Sequence, residues 1–433
     1  MRLPRAHEQR RALAEEVHAR PATPVVAPAV VSCLVLFESD SDAVLARVAD
    51  LARLYAVDEP RTDAAHALVE IPGGRLKWER HGEFTSLVVV RVLPEATLES
   101  ITEFPSAFDM LPDGWLASLP GRVIAAADIA VLPSSTVSDD DLSTAMKWFM
   151  SDSVAASRVL DGVAWIFSDF VLRSDGRTRM LVVDREMGAA QTARVVHRLV
   201  EVEIYRMMGL LALPVARGLF SSLGRIEQQL ASITSAMATL DTVHDAETLH
   251  REERKALDDL TRIAAEVERS VAASVFRFSA ASAYFPIMRA RVSELREQRV
   301  ADNRTFMGFL ARRVTPAAET IEAVAQRQES LANRIERASA LLRTRVDMVR
   351  EEQNQKILAT MDRRGDLQLR LQQTVEGLSV AAITYYVVAL ISYGTRPIEH
   401  HVHWLNHEWA AALSIPVVAY VVWSIIRRTR EGH

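Results

Sequence analysis

The chain has 433 residues, of which 25% are charged and 49% are hydrophobic, and its formal net charge is -5. This balance is typical of a mostly soluble protein with room for two or three domains, not of a polytopic transporter. Without a basic patch interleaved with aromatic residues, we expect no nucleic-acid partner. The single cysteine, Cys33, excludes intramolecular disulfides and cysteine-cluster metal sites, and it fits a reducing compartment for the large N-terminal part.

Residues 1–186 mix strand and helix patterns and predict an α+β domain in the cytoplasm. Turn-forming residues flank the predicted strands and helices. The connections between these elements are short and are compatible with several strand orders in the sheet. The predicted strands, including those of two hairpins, are residues 30–37, 66–71, 75–81, 83–92, 122–132, 162–173 and 177–183. The predicted helices are residues 11–21, 39–55, 106–119 and 139–150, the last opened by three aspartates that favour a helix N-terminus.

Everything after Met187 follows helical patterns, and residues 187–316 predict a helical hairpin region. Apolar residues spaced by three and four form a heptad seam in its first helix. We expect this seam to be buried; if it were exposed in a monomer, it would mark a partner surface. Its central residues are Leu223, Ile226, Leu230 and Ile233. We expect the helical pattern to break at Thr315 and Pro316.

Residues 317–376 predict a long cytoplasmic stalk helix with coiled-coil character. Two polar residues, Gln328 and Arg345, fall inside its seam. The apolar residues of the seam are Val324, Leu331, Ile335, Ala338, Leu342 and Val349. So thin a seam indicates packing against neighbouring helices or subunits, and not an isolated two-stranded coil.

The stalk passes into an uncharged run at residues 377–393, and a second such run follows at 409–426. At about 1.5 Å per residue, the first run covers about 25 Å, close to the hydrocarbon thickness of a bilayer. The two runs predict a transmembrane hairpin with an outer loop at 394–408 and a basic tail at 427–433. The alternative is a buried hairpin of a soluble protein, which the flanking arginines and aromatic residues disfavour.

The arginines on either side of the two runs predict the orientation of the hairpin. Arg363, Arg364 and Arg370 precede the first run and three more arginines lie in the tail, whereas the loop between the runs contains Arg396 alone. Positively charged flanks stay on the cytoplasmic side. We therefore expect an inner-membrane protein with two C-terminal spans and both termini in the cytoplasm.

The outer loop contains a candidate metal site. Its residues are His400, His403, His407 and Glu408. His403 and His407 are four residues apart, so on a helical turn both imidazoles face one way, and a further ligand could complete a zinc, nickel or copper site. The alternative is a polar interfacial loop, which is common between two spans.

No catalytic or cofactor-binding residues are predicted. The chain has no Walker loop, GxGxxG after a strand, GxSxG, HExxH or CxxC. His18 and Arg20 form a compact polar group for which a structural role is favoured, because no nucleophile lies near them in the sequence. Four acidic residues could line a cation site. The alternative is that one of them forms a turn and that the others, at the ends of strands, are simply exposed to solvent. The four residues are Asp169, Asp175, Asp184 and Glu186.

Five segments spread along the chain resemble a bacterial family. They are EVHARP at residues 16–21, EVEIYRMMGLLALPVAR at 201–217, RFSAASAY at 277–284, LLRTRVD at 341–347 and MDRRGDLQLRLQQTVEGLSVAAITYYVV at 361–388. The family is that of predicted membrane-anchored proteins, domain-of-unknown-function family 3422. The resemblance implies a membrane-anchoring C-terminus and no established activity, cofactor or catalytic residue.

The order of the parts also resembles that of CorA-type magnesium channels, in architecture only. Those proteins carry a Gly-Met-Asn signature at the outer end of the first span, where this chain has Tyr393, Gly394 and Thr395. The missing signature, and Arg396 where hydrated cations would queue, argue against conduction.

The expected fold is therefore an α+β cytoplasmic domain, a long all-α coiled-coil-like stalk region and a C-terminal two-helix transmembrane hairpin. The expected function is that of a scaffold or interaction protein without enzymatic activity. Its expected partners are the lipid bilayer and, through the stalk, a second copy or another protein, while a small-molecule ligand is left open. The alternative is a CorA-like oligomeric channel for divalent cations, with Ser379, Ala382 and Tyr386 facing a pore.

Overall fold

The computed structural model describes residues 5, 7–10, 23–61, 65–98, 100, 103–134, 144–150, 153–240, 245–399 and 407–431. The helix predicted at residues 11–21, with His18 and Arg20, lies outside the described residues, as does the start of the helix predicted at 139–150. The chain forms two compact units, a sheet unit (Met1–Ala338) and a stalk unit (Ser339–His433).

A nine-stranded sheet forms the centre of the sheet unit. Its strands are β1 (Ala29–Phe37), β2 (His66–Ile71), β3 (Gly74–Arg80), β4 (Phe84–Val92), β5 (Arg122–Pro133), β6 (Ala155–Val159), β7 (Ala164–Ser168), β8 (Thr178–Asp184) and β9 (Gln298–Arg299). Their order across the sheet is β2-β3-β4-β1-β5-β8-β7-β6-β9. Neighbouring strands are antiparallel, except β5 and β8, which are parallel.

The strands predicted from the sequence are present, and two more extend the sheet. β6 has five residues and β9 has two, too few for a periodic pattern to stand out. β9 also comes from the region in which the sequence predicted helices alone. It pairs with β6 at one edge of the sheet.

Long helices follow the sheet strands in the sequence, as the predicted fold class requires. The helices are α1 (Ser41–Leu54), α2 (Ala189–Leu210), α3 (Ala212–Thr239), α4 (Ala246–Glu294), α5 (Phe306–Glu399) and α6 (His407–Glu431). The chain is thus an α+β sheet domain followed by long helices.

Helices cover both faces of the β3-β4-β1 part of the sheet. On one face, α1 contributes Val44, Val48 and Leu51 to a core that also contains Leu76 and Trp78 of β3. On the other face, α2 packs near β1 and β5. A strand that is covered on both faces needs apolar residues throughout, which is why β1 reads as the nearly continuous apolar run AVVSCLVLF.

The prediction of a helix at residues 106–119 is wrong. The structure has two single 3-10 turns there, Phe108–Met110 and Leu116–Ser118. Pro112 and Gly114 lie between them, and Gly114 has a left-handed backbone with φ 75°. A proline and a left-handed residue within three positions interrupt the helical hydrogen bonds.

The predicted helical hairpin is confirmed. α3 and α4 pack against each other, and Arg225 of α3 bonds Glu266 of α4 at 3.3 Å. The four central seam residues, Leu223, Ile226, Leu230 and Ile233, are buried, as predicted. The first part of α5 joins this hairpin, since Arg327 bonds Glu227 of α3 at 2.5 and 2.7 Å.

Gln328, which interrupts the predicted stalk seam, is buried in this helical packing. Its Oε1 accepts a hydrogen bond from Ser274 Oγ at 3.2 Å, and its Nε2 donates one to Ser270 Oγ at 3.0 Å. The polar residue therefore has partners on α4. This explains how a thin seam packs against neighbouring helices, as the sequence indicated for the N-terminal part of the stalk.

The prediction of a helix break at Thr315 and Pro316 is wrong, because α5 begins at Phe306 and continues through both residues. A proline inside a helix removes one hydrogen bond, which the packed first part of α5 tolerates. The chain breaks instead between α4 and α5. Arg296 and Ala301 have left-handed backbones there, with φ of 48° and 45°.

The stalk unit contains the rest of α5 and α6. Within it, none of the described side chains from residue 343 to 394 is buried. Among the described residues, α4 and α5 each contain an 18-residue window apolar enough to cross a membrane, and α6 contains a shorter apolar stretch, Ala412–Ile425. In α5 no part of the window is buried, whereas 28% of the window in α4 is buried.

Candidate functional site

The metal site predicted in the outer loop stays a prediction. His400 and His403 lie outside the described residues, and so do the side chains of His407 and Glu408. In the part of the chain that the structure describes, no group of three or more His, Cys, Asp or Glu side chains is arranged to hold a metal ion.

The four acids considered for a cation site have separate roles. Asp169 forms a buried ion pair with Arg173 at 2.8 Å. Asp175 lies in the turn before β8, as the sequence indicated, and binds the arginines that follow it. Asp184 accepts a hydrogen bond from the backbone N–H of Met187 at 2.8 Å. Glu186 is exposed. These contacts hold the local backbone in place and do not bring the four acids together.

A cavity of about 340 Å³ lies between α2 and the sheet. Its floor is made by valines of β1 and β4, together with β3, and α2 covers it. The apolar lining includes Val31, Val88, Val90, Val196, Val200 and Ile204. The polar lining includes Lys77, Glu79, His81, His197, Arg198, Glu201, Tyr205 and Arg291. A concave apolar site with a few convergent polar groups is the usual form of a ligand-binding cavity.

The sheet side of the cavity carries a buried ion pair. Lys77 Nζ lies 2.8 Å from Glu79 Oε1, and the two side chains are 6% and 7% exposed. Both residues belong to β3, two positions apart, and therefore point to the same face of the sheet. Lysine and glutamate are almost never this buried unless they are paired.

The helix side of the cavity carries a second charged network. Arg198 Nη1 and Arg291 Nε lie 2.6 and 2.9 Å from Glu201 Oε2. Both arginines also bond Glu294 of α4. Because Arg198 and Glu201 are three residues apart on α2, they form one side of the network, and α4 supplies the other. The network joins α2 to α4 beside the cavity.

His197 faces the cavity from α2 and should make stability depend on pH. Burial, with a smaller effect of Lys77, lowers the pKa of His197 from its ordinary 6.5, against an opposing effect of Glu201. The folded state therefore binds the proton less tightly than the unfolded chain does. Stability is expected to fall as the pH decreases from about 6.5 through the folded-state pKa, and to level off below it.

We expect His197→Gln to reduce this loss of stability at acidic pH. The measurement is the unfolding temperature of the two full-length proteins between about pH 7.5 and pH 5. His66→Gln is the matched control, because His66 is exposed on β2. An identical pH dependence in the wild type and His197→Gln would contradict the assignment.

A second cavity, of about 860 Å³, lies beside the starts of β5 and β8. Two arginines line it, and each is held by a buried acid. Arg177 Nη1 lies 3.2 Å from Asp128 Oδ2, and Arg206 Nη2 lies 2.7 Å from Glu203 Oε1. Burial raises the pKa of Asp128, although hydrogen bonds from two serine hydroxyls and the charge of Arg177 oppose the shift. Each arginine thus has a charge partner within the fold.

Sequence reasoning missed the cavity beneath α2. Lys77 and Glu79 alternate with apolar residues in the predicted strand, a pattern that ordinarily marks a solvent-facing side. β3 is instead covered on both faces, by α1 and by α2. The available signal was the mixed charge of residues 188–213, at the start of the region predicted to be helical. A helix that covers a sheet brings such charged residues near the charges on that face.

Comparisons with known proteins identify a family but no activity. The model of a family described as "Protein of unknown function (DUF3422)" matches residues 5–433. None of the curated proteins compared with the chain matches it. A solved structure described as "structure of the full-length CmaX protein" is 13% identical, with 72% of this chain and 91% of that chain covered and a TM-score of 0.17. A TM-score this low supports no argument about fold or function.

Proposed function

Since this chain belongs to the DUF3422 family, as its motifs predicted, and the description of that family names no activity, we propose a function from the geometry of the chain itself. The protein is a membrane-anchored scaffold that self-associates through its stalk. The observation that carries this proposal is an exposed apolar stripe on α5 in the stalk unit.

The stalk stripe is defined by positions spaced three or four residues apart along α5. Its apolar members are Val346, Val349, Ile357, Leu367, Leu371 and Val375. Gln353, Thr360 and Arg364 occupy the remaining positions of the same face. Every step along this face is three or four residues, which is the spacing of a helix face that packs against another helix.

The stripe faces water in the single chain. Ile357, Leu367 and Leu371 are 58%, 65% and 70% exposed. The stripe extends over about 45 Å of helix, at about 1.5 Å per residue. Apolar surface of this extent is unfavourable in water and favours association with another helix.

A second copy of the chain is the partner that fits best. Copies that are anchored in one bilayer in the same orientation have parallel stalks, so equivalent positions of the stripe meet. The polar members of the stripe then lie opposite their own counterparts. A buried polar position of this kind fixes the register and the number of helices at some cost in stability.

The proposed anchor is the apolar window of α5 followed by the shorter apolar stretch of α6. The window of α4 is excluded from this role, because α4 packs against α2 and α3 in the sheet unit. We place the anchor in the inner membrane with both termini in the cytoplasm, from the arginines on either side of it. A CorA-like channel would need the same self-association and also a conducting pore, which Arg396 disfavours.

Cysteine cross-linking tests the self-association of the stalk. The natural Cys33 is fully buried, so a cysteine introduced in the stalk is the reactive one. Leu371→Cys, on the stripe, is expected to form a disulfide-linked dimer in membranes under mild oxidation. Leu369→Cys is the matched control, because Leu369 is exposed two residues away on the other side of the helix. Equal cross-linking of the two variants, or none of either, would contradict the proposal.

A further inference from the structure

We propose that the cavity beneath α2 binds a small zwitterion of the amino-acid type, with the ligand carboxylate on Lys77 and the ligand ammonium on Glu79. This inference goes beyond the scaffold function and does not depend on it. It rests on the buried charges, the charge balance, the apolar floor and the size of the cavity.

The Lys77–Glu79 pair is poorly explained by stability alone. Removing two charges from water costs more than their attraction commonly returns, and a well-packed apolar pair of similar volume is often as stable or more so. Here the pair lies on an inner strand, on the wall of a cavity. Buried titratable groups that converge on a cavity are typical of functional sites.

The charges around the cavity balance. The lining cations are Lys77, Arg198 and Arg291, and the lining anions are Glu79 and Glu201. Glu294, outside the lining, bonds both arginines and completes the balance. A ligand with a single net charge would leave one charge uncompensated in a buried site, which is costly. A zwitterion adds one charge of each sign and keeps the balance.

The geometry of β3 presents the two charges side by side. Lys77 Nζ and Glu79 Oε1 are 2.8 Å apart, while the arginines of the second network share the carboxylates of Glu201 and Glu294. A ligand that carries an ammonium and a carboxylate on neighbouring atoms can bind both ends of the pair at once. Each contact is then a charge-assisted hydrogen bond in a partly dehydrated site.

The rest of the cavity sets the size and polarity of the ligand. Its volume of about 340 Å³ is at the small end for ligand sites. It corresponds to about eleven water molecules at the density of the liquid, which suits an amino acid better than a nucleotide. Valines from β1, β4 and α2 line it, so the ligand side group is apolar.

Isothermal titration of the full-length protein in detergent tests the inference with intact zwitterions and their single-charge halves. The zwitterions are L-valine, L-leucine and L-isoleucine, and the halves are isovalerate and isobutylamine. At least one zwitterion is expected to bind about tenfold more tightly than either half, since only it makes both charged contacts. Absence of binding by all three zwitterions, or equal binding by isovalerate or isobutylamine, would overturn the proposal.

The double variant Lys77→Met/Glu79→Leu tests whether zwitterion binding depends on this pair. It removes both charges together, and so avoids the single buried charge that would unfold the protein. The variant is expected to fold and to bind the zwitterion at least about tenfold more weakly. The matched control is Asp169→Leu/Arg173→Met, which removes a buried ion pair outside the cavity and is expected to leave binding unchanged. Unchanged affinity in the Lys77/Glu79 variant would contradict the site.

Discussion

Replacing Glu79 with glutamine is expected to lower the free energy of unfolding by about 3 to 5 kcal/mol, because Lys77 would remain charged and buried without its partner. The structure places both side chains beneath α2 with less than a tenth of their surface exposed. Chemical unfolding of the full-length protein in detergent, followed by tryptophan fluorescence, measures the change. Trp78, fully buried on β3 between these two residues, is one of the seven tryptophans that report this unfolding.

Two comparisons separate this effect from ordinary loss of packing. Lys77→Met/Glu79→Leu removes the charges together and is expected to stay within about 1 kcal/mol of the wild type. Asp50→Asn breaks an exposed ion pair with Arg47 and Arg53 and is expected to change stability by less than about 1 kcal/mol. If the single and double variants at Lys77 and Glu79 were equally destabilised, the pair would not behave as a buried ion pair.

Leu367→Glu/Leu371→Glu is expected to convert the proposed self-associated form of the protein into a monomer. Both leucines belong to the stalk stripe, and in parallel stalks the new carboxylates of one copy would face those of the other. The loss of apolar contact and the repulsion act in the same direction. Sedimentation velocity of the detergent-solubilised protein measures the change in mass.

The matched control for this variant lies on the opposite side of the same helix. Leu358→Glu/Leu369→Glu adds the same charge to exposed leucines outside the stripe. It is expected to leave the oligomer intact. A monomer in both variants would mean that added charge, and not the stripe, sets the assembly.

Local patterns predicted the elements in which hydrogen bonding and burial agree. The apolar run of β1 and the helix predicted at residues 39–55 are examples. That helix forms as α1, where Asp40 accepts hydrogen bonds from the backbone N–H groups of Asp42 and Ala43, as an N-cap residue does. The heptad seam of α3 was predicted equally well, because its burial follows from the packing of α3 against α4.

Local sequence patterns did not predict the features that depend on contacts between distant parts of the chain. Residues 106–119 have helical periodicity, yet Pro112 and Gly114 set the local backbone and the segment folds as two turns. Pro316 suggested a break in a helix that the packing against α3 and α4 sustains. The sequence did not predict the cavity beneath α2, because the burial of Lys77 depends on a helix more than a hundred residues away in the chain.

The mass of the full-length protein in detergent, measured by light scattering with the detergent contribution subtracted, tests the central claim most directly. Self-association through the stalk predicts a mass that is a multiple of the 48.2 kDa chain, at least twofold. The Leu367→Glu/Leu371→Glu variant should return to the mass of one chain. A wild-type protein with the mass of a single chain would contradict the account, and the stalk stripe would then be a surface for a different partner.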